Sequence, residues 1–339
     1  MPAFNGERYV ASAVQSVLKQ RDVDLELIAV NDGSTDHTLA ILQDLAQADA
    51  RLRVITRPNS GRPAFPKNDG IAAARGDYVC FLDQDDLYDA DRSRQLLNGL
   101  QQHPQWVAAF HDLRLIDREG DCLPDTYLSS FNFMERAAAY LTRLNDDWFE
   151  CSDTFFVYQC LQTSAVHTQS VMIAVKRLPE SAVVYDTQFT HCDDGDLWMR
   201  LHLLGKLGYL NRVLSSYRQH EDSLTRNHES FLMDKLKMWK KNLQRVGRRL
   251  SPDQLAELHA KLSAGFSDLG YIRLQAGRRP DARAAYRESL AWSPGPQTMV
   301  NYAKTFIPLK VQRHLKRTLL NHQPVALGLS QVKGRDARH

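Results

Sequence analysis

Two runs of aspartates are the residues of this sequence best suited to chemistry. The first, Asp83, Asp85 and Asp86, follows the apolar stretch 78–82. Carboxylates spaced i and i+2 after a strand can converge on one divalent cation, and such a cation neutralises the charge that develops on a diphosphate leaving group. The same residues are also typical of a capped turn that starts a helix, and the residue types alone favour neither interpretation.

The second run, Asp193, Asp194 and Asp196, opens a predicted helix that also carries Trp198. Adjacent carboxylates compete for protons, so one of them can titrate high enough to serve as a general base. Acidic residues also stabilise a helix N-terminus through the macrodipole. Both interpretations stay open at this point.

Two further polar positions lie beside predicted strands. Asp32 follows the strand predicted at 25–30, where its carboxylate can either accept the imide N–H of a pyrimidine or serve as an ordinary turn residue. Arg218 and His220 alternate along an extended segment and therefore share a face. An arginine can hold a diphosphate and a histidine can ligate a metal, although a solvated surface pair explains these two residues equally well.

These residues need a scaffold that brings strand ends together. Apolar periodicity predicts helices at 7–20, 35–50 and 66–75 and strands at 25–30, 53–56 and 78–82. This alternation indicates an α/β fold, a mostly parallel sheet with helices on both faces, in which ligands bind at the carboxyl ends of the strands. Residues 2–5 read as a loop that follows a strand, yet the strand itself is missing, so we expect a mis-assigned start codon or a shortened chain.

The chain divides into four predicted parts, of which 1–105 is the first. Residues 106–225 form a mixed region, with a hairpin over 107–123, a strand at 170–175, a helix at 193–204 and an extended segment at 208–217. Residues 226–303 are helical. Within them Ser251 and Gln254 predict a capping box, and 265–294 resemble one tetratricopeptide-like hairpin, a unit that cannot bury its own face alone. Residues 304–339 are a tail.

The net charge of +3, from 43 basic and 40 acidic residues, hides an asymmetry. The tail carries eight basic side chains and one acid, hence +7, which leaves −4 for residues 1–303. No apolar run reaches the ~20 residues of a membrane-spanning helix. The basic amphipathic stretch 304–320 predicts peripheral contact with an anionic membrane, and a helix docked on the body with a solvated basic face fits it equally well.

Six motifs occur in one order, and together they resemble the family 2 glycosyltransferases of GT-A fold. They read P-x-F-N-G-E at 2–7, N-D-G-S-T-D at 31–36, N-x-G-I-x-x-x-R-G-x-Y-V at 68–79, F-L-D-x-D-D at 81–86, D-D-x-D-L-W-x-R at 193–200 and Y-R-x-H at 217–220. The match covers residues 2 to about 225. No single motif is specific, whereas six in order at proper spacing are.

The resemblance implies transfer of a sugar, with inversion, from a nucleotide diphosphate such as a UDP- or dTDP-sugar to an acceptor hydroxyl. It implies a donor site in which Asp32 reads the base and whose residues are Pro2, Ala3, Phe4, Glu7, Asp32, Arg62, Lys67, Asp83 and Arg218. It further implies that Asp85, with Asp83 and His220, ligates Mg²⁺ or Mn²⁺. Asp194, beside Asp193, matches the catalytic base, and Trp198 and Asp196 match the acceptor side.

Three departures from the family pattern stand out. The first strand is missing, Pro66-Lys67-Asn68 stands where Ala-Arg-Asn is usual, and Asp193 replaces the glutamate of a Glu-Asp pair. Lys67 keeps the positive charge but loses the bidentate geometry of arginine, so we expect Arg62 to share phosphate binding. The shorter Asp193 leaves the base in place and leaves open which acid titrates.

Other function classes fit less well. The lack of a G-x-G-x-x-G motif argues against a nicotinamide enzyme, and the near-neutral charge argues against nucleic-acid binding. A pyrimidine nucleotidyltransferase and a degenerate transferase kept as a binding scaffold stay as alternatives. We expect an acceptor that is a glycan or is lipid-linked, in bacterial surface polysaccharide or glycolipid assembly. Because the sequence opens without a signal peptide, we also expect a cytoplasmic protein, with peripheral contact at the inner face of the plasma membrane.

Overall fold

The computed structural model describes residues 1–162, 164–220 and 228–307. These residues form two compact units, Met1–Leu262 and a second unit that begins at Ser263. The strands are β1 (Pro2–Ala3), β2 (Leu27–Asp32), β3 (Leu52–Arg57), β4 (Tyr78–Cys80), β5 (Leu87–Tyr88), β6 (Trp106–Ile116), β7 (Cys122–Thr126), β8 (Leu141–Arg143), β9 (Trp148–Cys151), β10 (Val171–Ala174) and β11 (Lys206–Arg218). The α-helices are α1 (Val10–Leu18), α2 (Thr38–Ala48), α3 (Ala64–Ala73), α4 (Arg92–Gln102), α5 (Phe133–Arg136), α6 (Phe155–Leu161), α7 (Asp193–His202), α8 (His228–Val246), α9 (Pro252–Gln275), α10 (Arg279–Trp292) and α11 (Pro296–Lys304).

The strands β1, β2 and β3 form a parallel sheet in that order. Successive side chains of a strand point to opposite faces, and Leu27 and Ala29 of β2 pack in one apolar cluster with residues of α1 and α2. On the other face, α3 comes so close to Val30 that a Cβ added at Gly70 would lie 3.6 Å from the valine methyl. The predicted parallel strands with helices on both faces are therefore confirmed in this part of the fold.

The N-terminal residues correct the prediction of a loop at 2–5. Pro2 and Ala3 are not loop residues, because they pair with Val30 and Asn31 as a two-residue parallel strand. The backbone of Met1 extends this contact, since its carbonyl accepts a hydrogen bond from the Val30 N–H at 2.8 Å. The first strand is thus present but very short, and an apolar cavity of about 230 Å³ lies beyond it between β2 and β4.

The second sheet contains eight strands, in the order β4-β10-β6-β11-β9-β8 with β5 and β7 paired at its sides. It is mixed, because β6 and β11 run parallel whereas β4, β10, β9 and β8 pair antiparallel with their neighbours. The predicted hairpin is confirmed as β6 and β7. An apolar cluster rich in aromatic side chains, which includes Phe110, Phe133, Phe155 and Tyr209, packs against this sheet and gives the site a rigid support.

Asp196 joins α7 to α8. Its side chain is fully buried, and its carboxylate lies 2.6 Å from Arg245, 2.9 Å from Lys241 and 3.1 Å from Arg200. Burial by itself would raise the pKa of this carboxyl, but the hydrogen bonds from Arg245 and Lys241 lower it below its ordinary value. The oxygens of Asp196 therefore face these three cations, and its place on the acceptor side stays a prediction.

The helical residues behave largely as predicted. The side chains of Ser251 and Gln254 exchange hydrogen bonds with each other's backbone N–H groups, which confirms the capping box at the start of α9. In the second unit, a Cβ added at Gly270 would lie 2.8 Å from the ring of Tyr286, so α9 and α10 pack closely as a hairpin. None of the described helices combines the length and the hydropathy needed to cross a bilayer. Most of the stretch predicted to contact a membrane, 308–320, lies outside the described residues.

We predict that Asp196→Asn destabilises the protein at pH 7 by about 3–5 kcal/mol, because it leaves buried positive charge without a counterion. A lowered folded-state pKa means that the stabilisation by Asp196 is present above the ordinary aspartate pKa of 3.8 and is lost as the pH falls through the folded value. The penalty should therefore shrink in acid. Urea unfolding from pH 7 to pH 3 measures it.

The control is Asp146→Asn, which removes a fully exposed partner of Arg143. Exposed pairs contribute between 0 and about 1 kcal/mol, so this variant should unfold like the wild type. Equal stability of the two variants at pH 7 would contradict the role assigned to Asp196.

Candidate active site

The loop after β1 is tied to the rest of the site by hydrogen bonds. The backbone of Phe4 exchanges two hydrogen bonds of 2.9 Å with the side-chain amide of Gln84, and the Gly6 N–H donates to the hydroxyl of Thr38 at 2.7 Å. The carboxylate of Glu7 accepts the backbone N–H of His37, which lowers the pKa of Glu7. Phe4 thus lies beside the loop 83–86, Glu7 shapes the loop after β1, and donor binding by Pro2, Ala3, Phe4 and Glu7 stays a prediction.

Asp32 lies at the end of β2 and is buried. Its carboxylate accepts hydrogen bonds from the N–H and the hydroxyl of Ser60, the latter at 2.7 Å, and lies 3.1 Å from the guanidinium of Arg57. An imide N–H would share these oxygens with Ser60. Recognition of a pyrimidine by Asp32 stays a prediction.

Asp85 and His220 form the pair that fits a divalent cation. The Asp85 Oδ2 lies 2.8 Å from the His220 Nε2, and the two side chains are 24% and 10% exposed. Mn²⁺ accepts both oxygen and imidazole nitrogen as ligands, whereas Mg²⁺ prefers oxygen. No group of three or more His, Cys, Asp or Glu side chains converges within residues 1–162, 164–220 and 228–307, so a cation here would complete its shell with donor oxygens and water.

Asp86 fixes the position of this pair. It is buried, and its carboxylate accepts the Gln169 side-chain N–H at 2.5 Å and the Arg218 backbone N–H at 2.8 Å. It therefore joins the loop after β4 to the end of β11 and to the segment before β10. Gln169 was not among the predicted site residues, because a glutamine within 165–170 gives no local signal of a partner 83 residues away.

The two predicted phosphate-binding arginines differ in their surroundings. Arg218 is buried and donates to the backbone carbonyls of Asp85, Asp117 and Arg118, so it holds the backbone of the loop 83–86 against the β6–β7 turn. Arg62 is exposed and donates to the Thr187 carbonyl at 2.6 Å. Phosphate binding by either residue stays a prediction, and Arg62 has the more accessible guanidinium.

Asp83 lies between the two acidic clusters. Burial raises the pKa of Asp83, the Lys67 ammonium opposes that rise, and the carboxylates of Asp85 and Asp194 add to it. The same Lys67 ammonium contacts Asp193 at the start of α7, 3.1 Å away. The structure thereby brings together residues that the sequence places more than 100 positions apart.

Asp193 and Asp194 differ although they are neighbours. Asp193 is buried, and its Oδ2 lies 3.1 Å from the Lys67 Nζ. Asp194 is half-buried, and its carboxylate accepts the Gly195 N–H at 2.7 Å and lies 3.5 Å from the Thr168 hydroxyl. Asp194 is therefore the more accessible of the two acids, as expected of a base that must reach an acceptor.

Two aromatic features complete the site. Trp198 is buried and packs near Phe81 and Tyr185, with ring centroids at 6.2 and 6.3 Å, and its support of the acceptor side stays a prediction. His167, which the sequence did not single out, lies between the rings of Tyr127 and Tyr217 at 4.9 and 4.6 Å. Burial lowers the pKa of His167, while Asp194 and Asp83 raise it, which places this imidazole beside the acids.

Comparison with known proteins agrees with this geometry. The sequence model of Glycosyl transferase family 2 matches residues 1–159. An uncharacterized glycosyltransferase of Haemophilus influenzae is 36% identical over 121 residues, 36% of this chain and 48% of that protein. A chondroitin synthase of Pasteurella multocida is 25% identical over 225 residues, 66% of this chain and 20% of that protein. The chain thus matches about half or less of the length of these relatives.

Solved structures share the fold. The crystal structure of S. aureus TarS 1–349 in complex with UDP superposes with a TM-score of 0.61 at 16% identity and covers 98% of this chain and 93% of that one. The mannosyltransferase PcManGT from Pyrobaculum calidifontis, in complex with GDP-Man and Mn²⁺, has a TM-score of 0.51 at 15% identity and covers 94% and 83%. Residues 1–159 therefore match glycosyl transferase family 2 in sequence, and the described residues share the GT-A fold of these solved structures.

Proposed function

We propose that this protein transfers a sugar from a nucleotide diphosphate, a UDP- or dTDP-sugar, to an acceptor hydroxyl with inversion at the anomeric carbon. One observation carries the proposal. Neighbouring residues contact both acidic runs: the Thr168 hydroxyl lies 3.5 Å from the Asp194 carboxylate, and the Gln169 side chain donates at 2.5 Å to Asp86, which is adjacent in sequence to Asp85 of the Asp85–His220 pair. A group suited to bind the leaving diphosphate and a group suited to take a proton therefore lie in one site.

The chemistry divides between these groups. The Asp194 carboxylate takes the proton of the acceptor hydroxyl as the acceptor oxygen bonds to the anomeric carbon, and the bond from that carbon to the diphosphate oxygen breaks with its electron pair on the diphosphate. Asp85 and His220, with Asp83 beside them, would hold Mg²⁺ or Mn²⁺. When bound, the cation neutralises the charge of the leaving group. Attack opposite the leaving group inverts the configuration.

The chemistry of Asp32 and the similar proteins support the proposed donor and acceptor. The superposed TarS structure contains UDP, and Asp32 supplies a carboxylate suited to the imide of a pyrimidine. A relative of this chain is a chondroitin synthase, which supports a glycan or lipid-linked acceptor in surface polysaccharide or glycolipid assembly. Peripheral membrane contact through 304–320 and a cytoplasmic location belong to the same proposal.

We expect Asp194→Asn and Asp85→Asn each to lower the rate of sugar transfer at least about 100-fold, since one removes the base and the other a cation ligand. A panel of nucleotide sugars, assayed for metal-dependent transfer or donor hydrolysis with and without EDTA, measures this. Asp125→Asn, on the exposed strand β7, is the matched control and should keep wild-type activity.

The alternatives give different results in the same assay. Binding of UDP by the wild type without turnover of any donor would contradict the proposal and favour a scaffold. Formation of a nucleotide sugar with release of pyrophosphate would instead identify a nucleotidyltransferase. Activity that survives both EDTA and Asp85→Asn would overturn the assigned role of the cation.

We expect Asp32→Asn to weaken UDP binding about tenfold and to leave GDP binding unchanged, because the variant loses the charged acceptor for the pyrimidine imide, worth about 1.5 kcal/mol. Isothermal titration calorimetry at fixed Mn²⁺ measures both affinities. Ser60→Ala keeps the carboxylate and removes only the hydroxyl that contacts it, so it should bind UDP within about threefold of wild type. An equal loss for UDP and GDP would exclude base recognition by Asp32.

A further inference from the structure

Lys67 and Asp193, which both depart from the family pattern, contact each other. Lys67 comes from α3 and Asp193 from the start of α7, and their Nζ and Oδ2 atoms lie 3.1 Å apart although 126 residues separate them in sequence. The side chains are only 5% and 6% exposed. A buried ion pair of this kind is strongly destabilised when either partner is removed alone.

Lys67 is held in place on its other side as well. Its ammonium lies 4.7 Å from the ring centroid of Tyr185, and Tyr185 is fixed by hydrogen bonds between its backbone and the side chain of Asn68. Burial alone would lower the pKa of Lys67, but the carboxylates of Asp193, Asp83 and Asp194 raise it above its ordinary value. Lys67 therefore stays charged at neutral pH, beside three carboxylates.

The two acids of α7 respond differently to this cation. Successive residues of a helix are rotated by about 100°, so Asp193 points to Lys67 while Asp194 lies toward Thr168. Without the ammonium, Asp193 would be a second carboxylate without a counterion next to Asp194, and either acid could act as the base. Burial raises the pKa of Asp193 and the Lys67 ammonium opposes that rise, while the 3.1 Å contact holds the Asp193 carboxylate against Lys67 and away from the cleft side of Asp194.

We infer that Lys67 is a positioning residue that neutralises Asp193 and thereby makes Asp194 the single proton acceptor of the pair. This inference rests on the proposed transferase function and replaces the predicted contact between Lys67 and the donor diphosphate. The charges of Lys67 and Asp193 cancel beside the base, and Asp83 and His167 are further titratable groups that interact with Asp194.

A double-mutant cycle with Lys67→Met and Asp193→Asn tests this. Lys67→Met leaves an uncompensated anion beside the base, so the acidic limb of the kcat/KM profile should move about one unit or more to higher pH. Asp193→Asn leaves an uncompensated cation, so the limb should move to lower pH. In the double variant the charges balance again, and the limb should return to within about 0.3 units of wild type. Lys67→Arg, which keeps the charge, should keep the limb even where kcat falls.

UDP affinity separates this role from a phosphate contact. If Lys67 bound the diphosphate, the double variant would bind UDP as weakly as Lys67→Met, since both lack the ammonium. We expect the double variant to bind UDP within about threefold of wild type. A persistent loss of tenfold or more, or pH limbs that move in the same direction in both single variants, would overturn the inference.

Thermal unfolding without substrate keeps the test independent of turnover. Each single variant leaves a buried charge unpaired and should melt lower than wild type, whereas the double variant should melt higher than the less stable single variant. If the wild type turned over no nucleotide sugar, the proposed function would fail while this cycle still reported on the pair. A double variant that melts at the sum of the two single losses would show that the pair is not coupled.

Discussion

Buried carboxylates need partners, and in this protein the partners come from distant parts of the chain. Asp86 accepts from Gln169 and from the backbone of Arg218, and Asp193 pairs with Lys67. Transfer of an unpaired carboxylate from water to a protein interior is strongly unfavourable. Each of these contacts therefore holds two elements together. The acids that line the candidate site thus also bind its strands, helices and loops to one another.

The backbone at the front of the site obeys the same rule. The β1 strand is only two residues long, so the loop that follows it has little sheet to hold it. Hydrogen bonds to side chains hold this loop instead. The Gln84 side chain bonds to the backbone of Phe4, and the Gly6 N–H donates to the Thr38 hydroxyl. Because Gln84 lies between Asp83 and Asp85, the same residue that holds the N-terminal loop also belongs to the proposed metal-binding segment.

The sequence predicted elements well where the signal is local. Helical spacing located α1 and α2, and the apolar stretch 25–30 located β2, each to within a few residues. The sequence could not show that β6 and β11 pair in parallel across 100 residues, because strand pairing depends on contacts that no local pattern records. The mixed order of the second sheet was missed for that reason.

The candidate site, too, was predicted only where its signal is local in the sequence. Its acids were found because aspartates after a strand or at a helix start are visible as motifs, but their individual surroundings were not. Asp194 and Asp196 are two residues apart, and only the structure shows that one is half-buried near Thr168 while the other is enclosed by Arg200, Lys241 and Arg245. Gln169 and His167 were missed because single polar residues carry no pattern.

Some acidic side chains of the site pair with enclosed cations of the protein, whereas Asp85 has a more exposed partner. This difference bears on where a ligand would bind. Asp193 and Asp196 face cations that the protein itself supplies, and these contacts are enclosed. Asp85 instead faces His220, and this pair is more exposed than the Lys67 contact. A solvent-accessible carboxylate oxygen and imidazole nitrogen are ligands that a divalent cation can use. In the proposed mechanism, a cation would therefore bind at Asp85, and Asp194 would face the acceptor.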